Sequence, residues 1–455
     1  MKRPAVTASL VLAAAAAVTG ATVLMAVTDD RGLAATPTAG TARCVTAAFP
    51  GETVTVAPTP SIDVPTPAPT PTPVPTARIE AVEPGWSGAW STASQDLDGP
   101  DLIGRTLRQV VRPSIGGDSV RLRLANTFGT EPLRLAHVTA AVSAEAPALR
   151  PGTAREVMFE GSAEVEIPPG GRMVSDPVPL SFAFGQSLAI DLVPRGPAPA
   201  GSGHSRPIAT SYLADGDHAG QVTGSAFDRS VPSWFWLEGV DVPDPAGTGT
   251  ISMFGDSITE GASSTRDANR RWPDLLSGRM RTHASTAALG VLNEGIGGNR
   301  VVSENLACAS PSASGLRRFQ HDVLDRPDVR VVVIALGIND IGSGTPAATV
   351  IDGLTQLADQ AHRHGLRVVG ATVTPFSCEK RCLTPEKEQQ RTLVNDWVRT
   401  APEFDAVVDF DAAVRDPARP ERLLATYDSG DHLHPSDAGM AAMAAAFDLD
   451  ALAGS

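Results

Sequence analysis

Lysine is almost absent from this chain: Lys2, Lys380 and Lys387 are the only three among 37 cationic residues. Against them stand 51 acidic residues, giving a net charge of −14. The basic face that sequence-independent nucleic-acid binding requires is missing, so no nucleic-acid partner is expected. Long apolar runs are missing too. Beyond Val27 none reaches the ~18 residues needed to cross a bilayer, so any membrane tether must come from the N-terminal segment alone. The nine His and four Cys fall in no metal-ligand spacing, so neither a catalytic metal nor a cofactor is expected. A Gly-x-Ser-x-Gly elbow occurs nowhere, which argues against an ordinary α/β-hydrolase.

What is present suffices for folded structure. Apolar residues make up 42% and charged residues 19%, enough for a packed core and too few charges for a disordered chain. The 455 residues allow two to four domains at roughly 100–200 residues each.

Lys2 and Arg3 precede an apolar run from about Ala5 to Val27, the positive-then-apolar pattern of an export signal. Residues 1–28 therefore read as a signal peptide or an uncleaved anchor, both being long enough. Residues 29–77 read as a disordered Pro/Thr-rich linker. Its Pro58–Pro75 stretch holds eight prolines in eighteen residues. Proline fixes φ and removes a donor, so this part should be an extended spacer of about 55 Å.

Two units with different periodicities follow. Residues 78–246 read as an all-β sandwich of jelly-roll type: Val120, Leu122 and Leu124 alternate with Arg121 and Arg123, which are expected to face water. Similar runs occur at 155–159, 163–167, 188–193 and 235–240, and no amphipathic helix intervenes. Residues 247–455 alternate differently. Apolar runs at 250–254, 329–336, 366–372 and 406–410 read as strands buried on both faces, separated by helical stretches at 273–282, 345–364 and 385–400. That alternation predicts a parallel sheet in a three-layer α/β/α arrangement. Ligands of such sheets bind beyond the strands' carboxyl ends.

Four unusual segments fall at those ends. Gly255-Asp256-Ser257 can present a hydroxyl at the mouth of the sheet. Asn293-Glu294-Gly295-Ile296-Gly297-Gly298-Asn299 brings backbone N–H groups close to a ligand. Gly337-Ile338-Asn339-Asp340 adds a side-chain amide. Asp428-Ser429-Gly430-Asp431-His432-Leu433-His434 sets a carboxylate three residues before an imidazole. Each alone is weak; a lone histidine in such a context is usually structural.

Together, in this order, the four segments resemble the conserved blocks of the SGNH (GDSL) hydrolase superfamily over about residues 248–450. The resemblance implies a flavodoxin-like hydrolase domain. Within it Ser257 would be the nucleophile, Asp431 and His434 its partners, and Ser257, Gly298 and Asn339 the oxyanion donors. The β-rich unit, at Val110–Arg112 and Val120–Phe128, looks like the N-terminal domain of two-domain secreted bacterial members. The chemistry is consistent with these roles. A serine hydroxyl is a weak nucleophile until a base takes its proton, and a carboxylate fixes the tautomer of that base. His432, four residues after Asp428, is the rival base.

Other residues carry blander expectations. Asp256 and Asp340 should fix their loops by hydrogen bonds, and Trp272 should be core. Trp234-Phe235-Trp236 alternates within a strand, so its tryptophans are either core or an exposed pair able to stack on sugar rings. In an exported chain Cys44, Cys308, Cys378 and Cys382 favour disulfides, with the pairing open.

The expected activity is therefore that of a secreted serine esterase removing short acyl groups from a carbohydrate, acting as a monomer on a small ester or an acylated polysaccharide. A lipase or arylesterase is the alternative, and a non-catalytic surface carbohydrate-binding protein a remoter one.

Overall fold

The computed structural model describes residues 85–97, 102–196, 201–306, 311–377 and 384–453. The export segment, the proline-rich spacer and all four cysteines lie outside the described residues.

Residues 85–246 are built from antiparallel strands. A seven-stranded sheet centres on Arg105–Val111, Leu188–Pro194 and Leu133–Val142. A four-stranded sheet orders Trp86–Ser91, Leu237–Pro243, Arg121–Ala125 and Arg172–Val174. Leu107, Val138 and Ile190 from the first sheet share one apolar core with Leu122, Leu124 and Val240 from the second. The expected β-sandwich results.

Two expectations fail here. Arg121 and Arg123 do not face water: their side chains are 6% and 16% exposed. The antiparallel register sets Asp241 opposite Arg121, and both guanidiniums converge on its carboxylate, Arg123 at 2.8 Å. Arg121 also lies 4.1 Å from the centre of the Trp86 ring. Buried charge of opposite sign, unseen in a single strand's alternation, holds the arginines inside. The regular alternation expected of Trp234-Phe235-Trp236 fails as well, and of the two readings of its tryptophans the core one holds, since Trp234 and Trp236 are 3% and 1% exposed. Trp236 takes φ +59 between the strands Trp234–Phe235 and Leu237–Pro243, so simple alternation of faces stops there.

The C-terminal part is a five-stranded parallel sheet. Its strands are β1 (Thr250–Gly255), β2 (Gly290–Gly295), β3 (Val329–Ala335), β4 (Arg367–Ala371) and β5 (Ala406–Val408), in the order β2-β1-β3-β4-β5. This is a flavodoxin-like α/β sheet. Every residue of β1 is buried, which is why its sequence is apolar on both faces. Helix Ala347–Arg363 buries Val350, Leu354, Leu357 and Ala361, the 3.6-residue spacing of one stripe. Helix Pro385–Thr400 starts where its signals put it: Thr384 Oγ1 accepts from Lys387 N, and Pro385 opens the first turn. Trp272 is core, stacked on Phe447 with centroids 5.5 Å apart. Short helices at Gly315–Phe319 and Asp437–Ala445 had no expectation attached to them.

The β-sandwich covers the open edge at β2. Val291 N donates to Ser114 Oγ at 2.8 Å, and Gly88 N donates to Thr250 Oγ1 at 3.1 Å. An exposed parallel edge would otherwise offer unpaired backbone groups.

Beneath that contact lies an ionic cluster. Arg326 binds Glu294 through Nε at 3.0 Å and Nη2 at 3.2 Å, donates to Thr92 O at 3.0 Å, and faces Glu238 at 3.5 Å. Ser91 Oγ donates to Glu294 and Ser94 Oγ to Glu238. Arg326, Glu294 and Glu238 side chains are 3%, 0% and 2% exposed. Burial works against every charge here. The carboxylates nevertheless hold Arg326 above its ordinary value, while His321 and Arg326 hold Glu238 below its own.

Candidate active site

Ser257 is placed where a strand ends abruptly in a helix. After Gly255, Asp256 caps the four-residue helix Ser257–Glu260, its Oδ1 accepting from Ile258 N at 3.0 Å. Ser257 is thus the first helical residue, 9% exposed at the carboxyl end of β1. Its N–H has no intrahelical acceptor by position. Gly295, which ends β2, lies directly against this helix, since a Cβ there would meet Glu260 N at 2.2 Å.

A long surface segment brings the imidazole. His434 Nε2 lies 2.9 Å from Ser257 Oγ, and His434 Nδ1 lies 2.6 Å from Asp431 Oδ2. The other oxygen, Asp431 Oδ1, accepts from Leu433 N at 2.9 Å and His434 N at 2.8 Å. Partial burial works against this carboxylate's charge. The His434 ring and the backbone donors outweigh it and hold the carboxyl well below the usual range. Since Asp431 accepts at Nδ1, the ring presents an unprotonated Nε2 to the serine when neutral. His432 is placed elsewhere: it binds Asp428 at 2.5 Å with a side chain 56% exposed, in a residue at φ +60.

The two remaining segments are tied to each other. Gly298 sits at φ +75, in the left-handed region that glycine enters at no steric cost. Its neighbour Asn299 receives a hydrogen bond on its carbonyl from Asn339 Nδ2 at 3.0 Å. Asp340 accepts from Val301 N at 2.8 Å and Val302 N at 3.3 Å. The glycine loop and the Gly-Ile-Asn-Asp turn are therefore hydrogen-bonded to each other at three points. Asp256 and Asp340 act as loop-fixing carboxylates, in keeping with their sequence context.

Arg318 was missed from sequence. Its guanidinium is 1% exposed and donates to Gly255 O at 2.8 Å, Glu294 O at 2.9 Å and Asn299 Oδ1 at 3.0 Å. It also pairs with Asp322 at 2.8 Å and lies 4.0 Å from the centre of the Phe254 ring. One side chain thus clamps the ends of β1 and β2 and the glycine loop. The Arg317-Arg318 pair in Gly315–Phe319 gives no local sign of this; only the convergence of separate segments reveals it.

Asp256 carries the main electrostatic anomaly. Burial pushes its carboxyl up to about 7, against the pull of Ile258 N–H and His434, with Asp340 and Glu260 adding to the rise. A carboxyl raised in the folded state contributes stability that is complete below its ordinary value near 4 and is lost as pH climbs through about 7. Asp256→Asn removes this titration at nearly equal size. Thermal unfolding from pH 4 to about 7 should show the parent protein losing stability relative to the variant as pH rises. A constant difference between the two would contradict it.

Residues 253–442 match the model of the GDSL-like lipase/acylhydrolase family. No curated protein matches the chain. Among solved structures it is similar to TesA, at 22% identity over 43% of this chain and 94% of that one, with a TM-score of 0.34. It is also similar to Est24, a carbohydrate acetylesterase from Sinorhizobium meliloti, at 14% identity over 43% and 94% with a TM-score of 0.35. The native M. smegmatis aryl esterase is similar at 18% identity over 44% and 95%, again with a TM-score of 0.35.

Proposed function

We propose that residues 253–442, which match the GDSL-like lipase/acylhydrolase family model, are a carboxylic ester hydrolase domain, and that the chain is an exported serine esterase that removes short acyl groups from a carbohydrate. The observation that carries the catalytic assignment is the unbroken line from Ser257 Oγ through the His434 ring to Asp431, with contacts of 2.9 and 2.6 Å. Ser257 Oγ attacks the ester carbonyl carbon while its proton passes to His434 Nε2. Asp431 stabilises the imidazolium that forms. The tetrahedral oxyanion is met by the backbone N–H groups of Ser257 and Gly298 and by the Asn339 amide. Collapse breaks the C–O bond to the leaving alcohol, which takes the proton from His434 and leaves an acyl-Ser257. Water then repeats the sequence through the same base, releasing the acid and restoring the serine.

Export is supported by Lys2 and Arg3 ahead of the apolar run, followed by the proline spacer. The carbohydrate assignment is supported by the β-sandwich joined to the hydrolase domain, an addition that cleavage of a small free ester does not require. Turnover of acetylated xylan, acetylated pectin and a triglyceride, compared side by side, tests the substrate. Preference for an acetylated polysaccharide is expected. Preference for the triglyceride would make the chain a lipase, and no turnover of any ester would leave a binding protein.

Asn339→Ala should lower kcat by about 10²–10³ while leaving KM within a few-fold, because the amide is assigned to the transition state. Steady-state kinetics on p-nitrophenyl acetate checks this. An equal change in both constants, or none, would remove Asn339 from the oxyanion site.

A further inference from the structure

The three groups assigned to the oxyanion come from three separate stretches of chain. They are the N–H of Ser257 after β1, the N–H of Gly298 after β2 and the Asn339 amide after β3. Such donors act only when each stands about 2.7–3.1 Å from the place the oxyanion will occupy. Something must therefore fix the spacing of segments that share no covalent neighbour.

Arg318 reaches all three. Its Nη2 donates to Gly255 O at 2.8 Å, two residues before Ser257. Its Nε donates to Asn299 Oδ1 at 3.0 Å, on the residue after Gly298. Asn299 O in turn accepts from Asn339 Nδ2 at 3.0 Å, so the third donor hangs on the same chain of contacts. Nη1 is shared between Glu294 O at 2.9 Å and Asp322 at 2.8 Å. Asn299 is 0% exposed, and its own Nδ2 donates to Ala313 O at 2.7 Å and Ser312 Oγ at 3.1 Å. The segment carrying Arg318 is tied to the exit of the glycine loop, since Gly315 N donates to Arg300 O at 2.7 Å and Leu316 N to Val301 O at 3.1 Å. After Phe319 it widens into one turn of π-helix, Gln320–Leu324, a rare form frequent beside functional sites.

Stability is a poor account of this group. Burying a guanidinium with its carboxylate costs about as much as the pair returns, and apolar side chains of the same volume often serve a core as well. What an apolar residue cannot supply is a planar fork whose donors point in fixed, different directions.

We propose that Arg318 is a positioning residue for ester cleavage, its guanidinium setting the Ser257, Gly298 and Asn339 donors at the spacing the tetrahedral intermediate needs. It acts through Gly255 O and the Asn299 side chain rather than on the substrate. The inference rests on the esterase reading.

Arg318→Lys keeps a cation beside Asp322 but offers one nitrogen in place of three, so it cannot hold Gly255 O and Asn299 Oδ1 together. On p-nitrophenyl acetate its kcat should fall about a hundredfold with KM within about threefold, the loss expected when donors shift by about 1 Å. Asn299→Ser removes the Nε acceptor from the other side and should lower kcat alike; it carries the test alone where the lysine variant does not fold. Urea unfolding defines conditions in which each variant is folded, and kinetics are taken there. The decisive readout is coupling to the oxyanion amide. Adding Asn339→Ala to either variant should cost less than about tenfold more, because the amide is already misplaced, against about 10²–10³ in the parent. A purely structural role would leave the two losses multiplying independently, and that result would overturn the proposal. So would a kcat within about threefold of the parent in the folded variants, or a loss confined to KM. Parent turnover that needs Ser257 but survives both variants rejects the role of Arg318 and leaves the esterase standing; a parent chain that cleaves no ester rejects both.

Discussion

Replacing Ser257 with alanine is expected to lower kcat on p-nitrophenyl acetate by a factor on the order of 10⁴–10⁶. The size follows from the chemistry. Without Oγ no acyl-enzyme forms, and only the oxyanion donors and the bound water remain to help the uncatalysed attack. Unfolding should barely change, because among the described residues the side chain's hydrogen bond is the one to His434 at 2.9 Å. A protein that loses activity and stability together would owe its loss to misfolding. Activity within tenfold of the parent would place the nucleophile elsewhere.

The second large effect is on stability. Arg326→Met should destabilise the protein by about 3–5 kcal/mol, read as a lowered urea midpoint with an unchanged m-value. Arg326 is 3% exposed and answers the charges of Glu294 and Glu238 while also bonding Thr92 O. Removing it leaves Glu294 buried without its ion pair and Glu238 paired only with His321 at 3.5 Å among the described residues, which costs more than the pairs themselves contribute. The cluster joins the sandwich, through Ser91, Thr92, Ser94 and Glu238, to the residue preceding Gly295 in the second block. The loss should therefore reach the glycine loop as well. Partial recovery in the triple variant Arg326→Met, Glu294→Gln, Glu238→Gln would identify unpaired charge as the cause. A change below about 1 kcal/mol in the single variant would mean that water reaches these groups.

Local signals carried the hydrolase half of the fold. Its strands are apolar on both faces and its helices have caps and stripes; Ser257 follows the end of β1 and Asn339 the end of β3, whereas His434 lies well beyond the end of β5 and its expected place rested on the family resemblance. Helix Pro385–Thr400 was legible to its ends because Thr384 and Pro385 mark it chemically. What one dimension could not carry was pairing between distant segments. Arg121 and Arg123 look like a solvent face until Asp241, more than a hundred residues later, is set opposite them. Glu294 sits in a recognisable block, yet its burial under Ser91 and Arg326 depends on a contact between two units that fold on different patterns. Arg318 is hidden for the same reason, since its three carbonyl and amide acceptors come from two other stretches of chain, Gly255 and the Glu294–Asn299 segment. Trp234 and Trp236 were undecided because alternation distinguishes faces only while the strand stays regular, and the left-handed Trp236 ends that regularity.

The central claim is that the Ser257 hydroxyl is the group made nucleophilic by His434. Labelling the full chain with a p-nitrophenyl alkylphosphonate at neutral pH, followed by peptide mass spectrometry, tests it most directly. One phosphonyl adduct per chain, mapped to Ser257 and absent in His434→Ala over the same interval, is the predicted result. Labelling at another serine, or at the same rate without the imidazole, would contradict it.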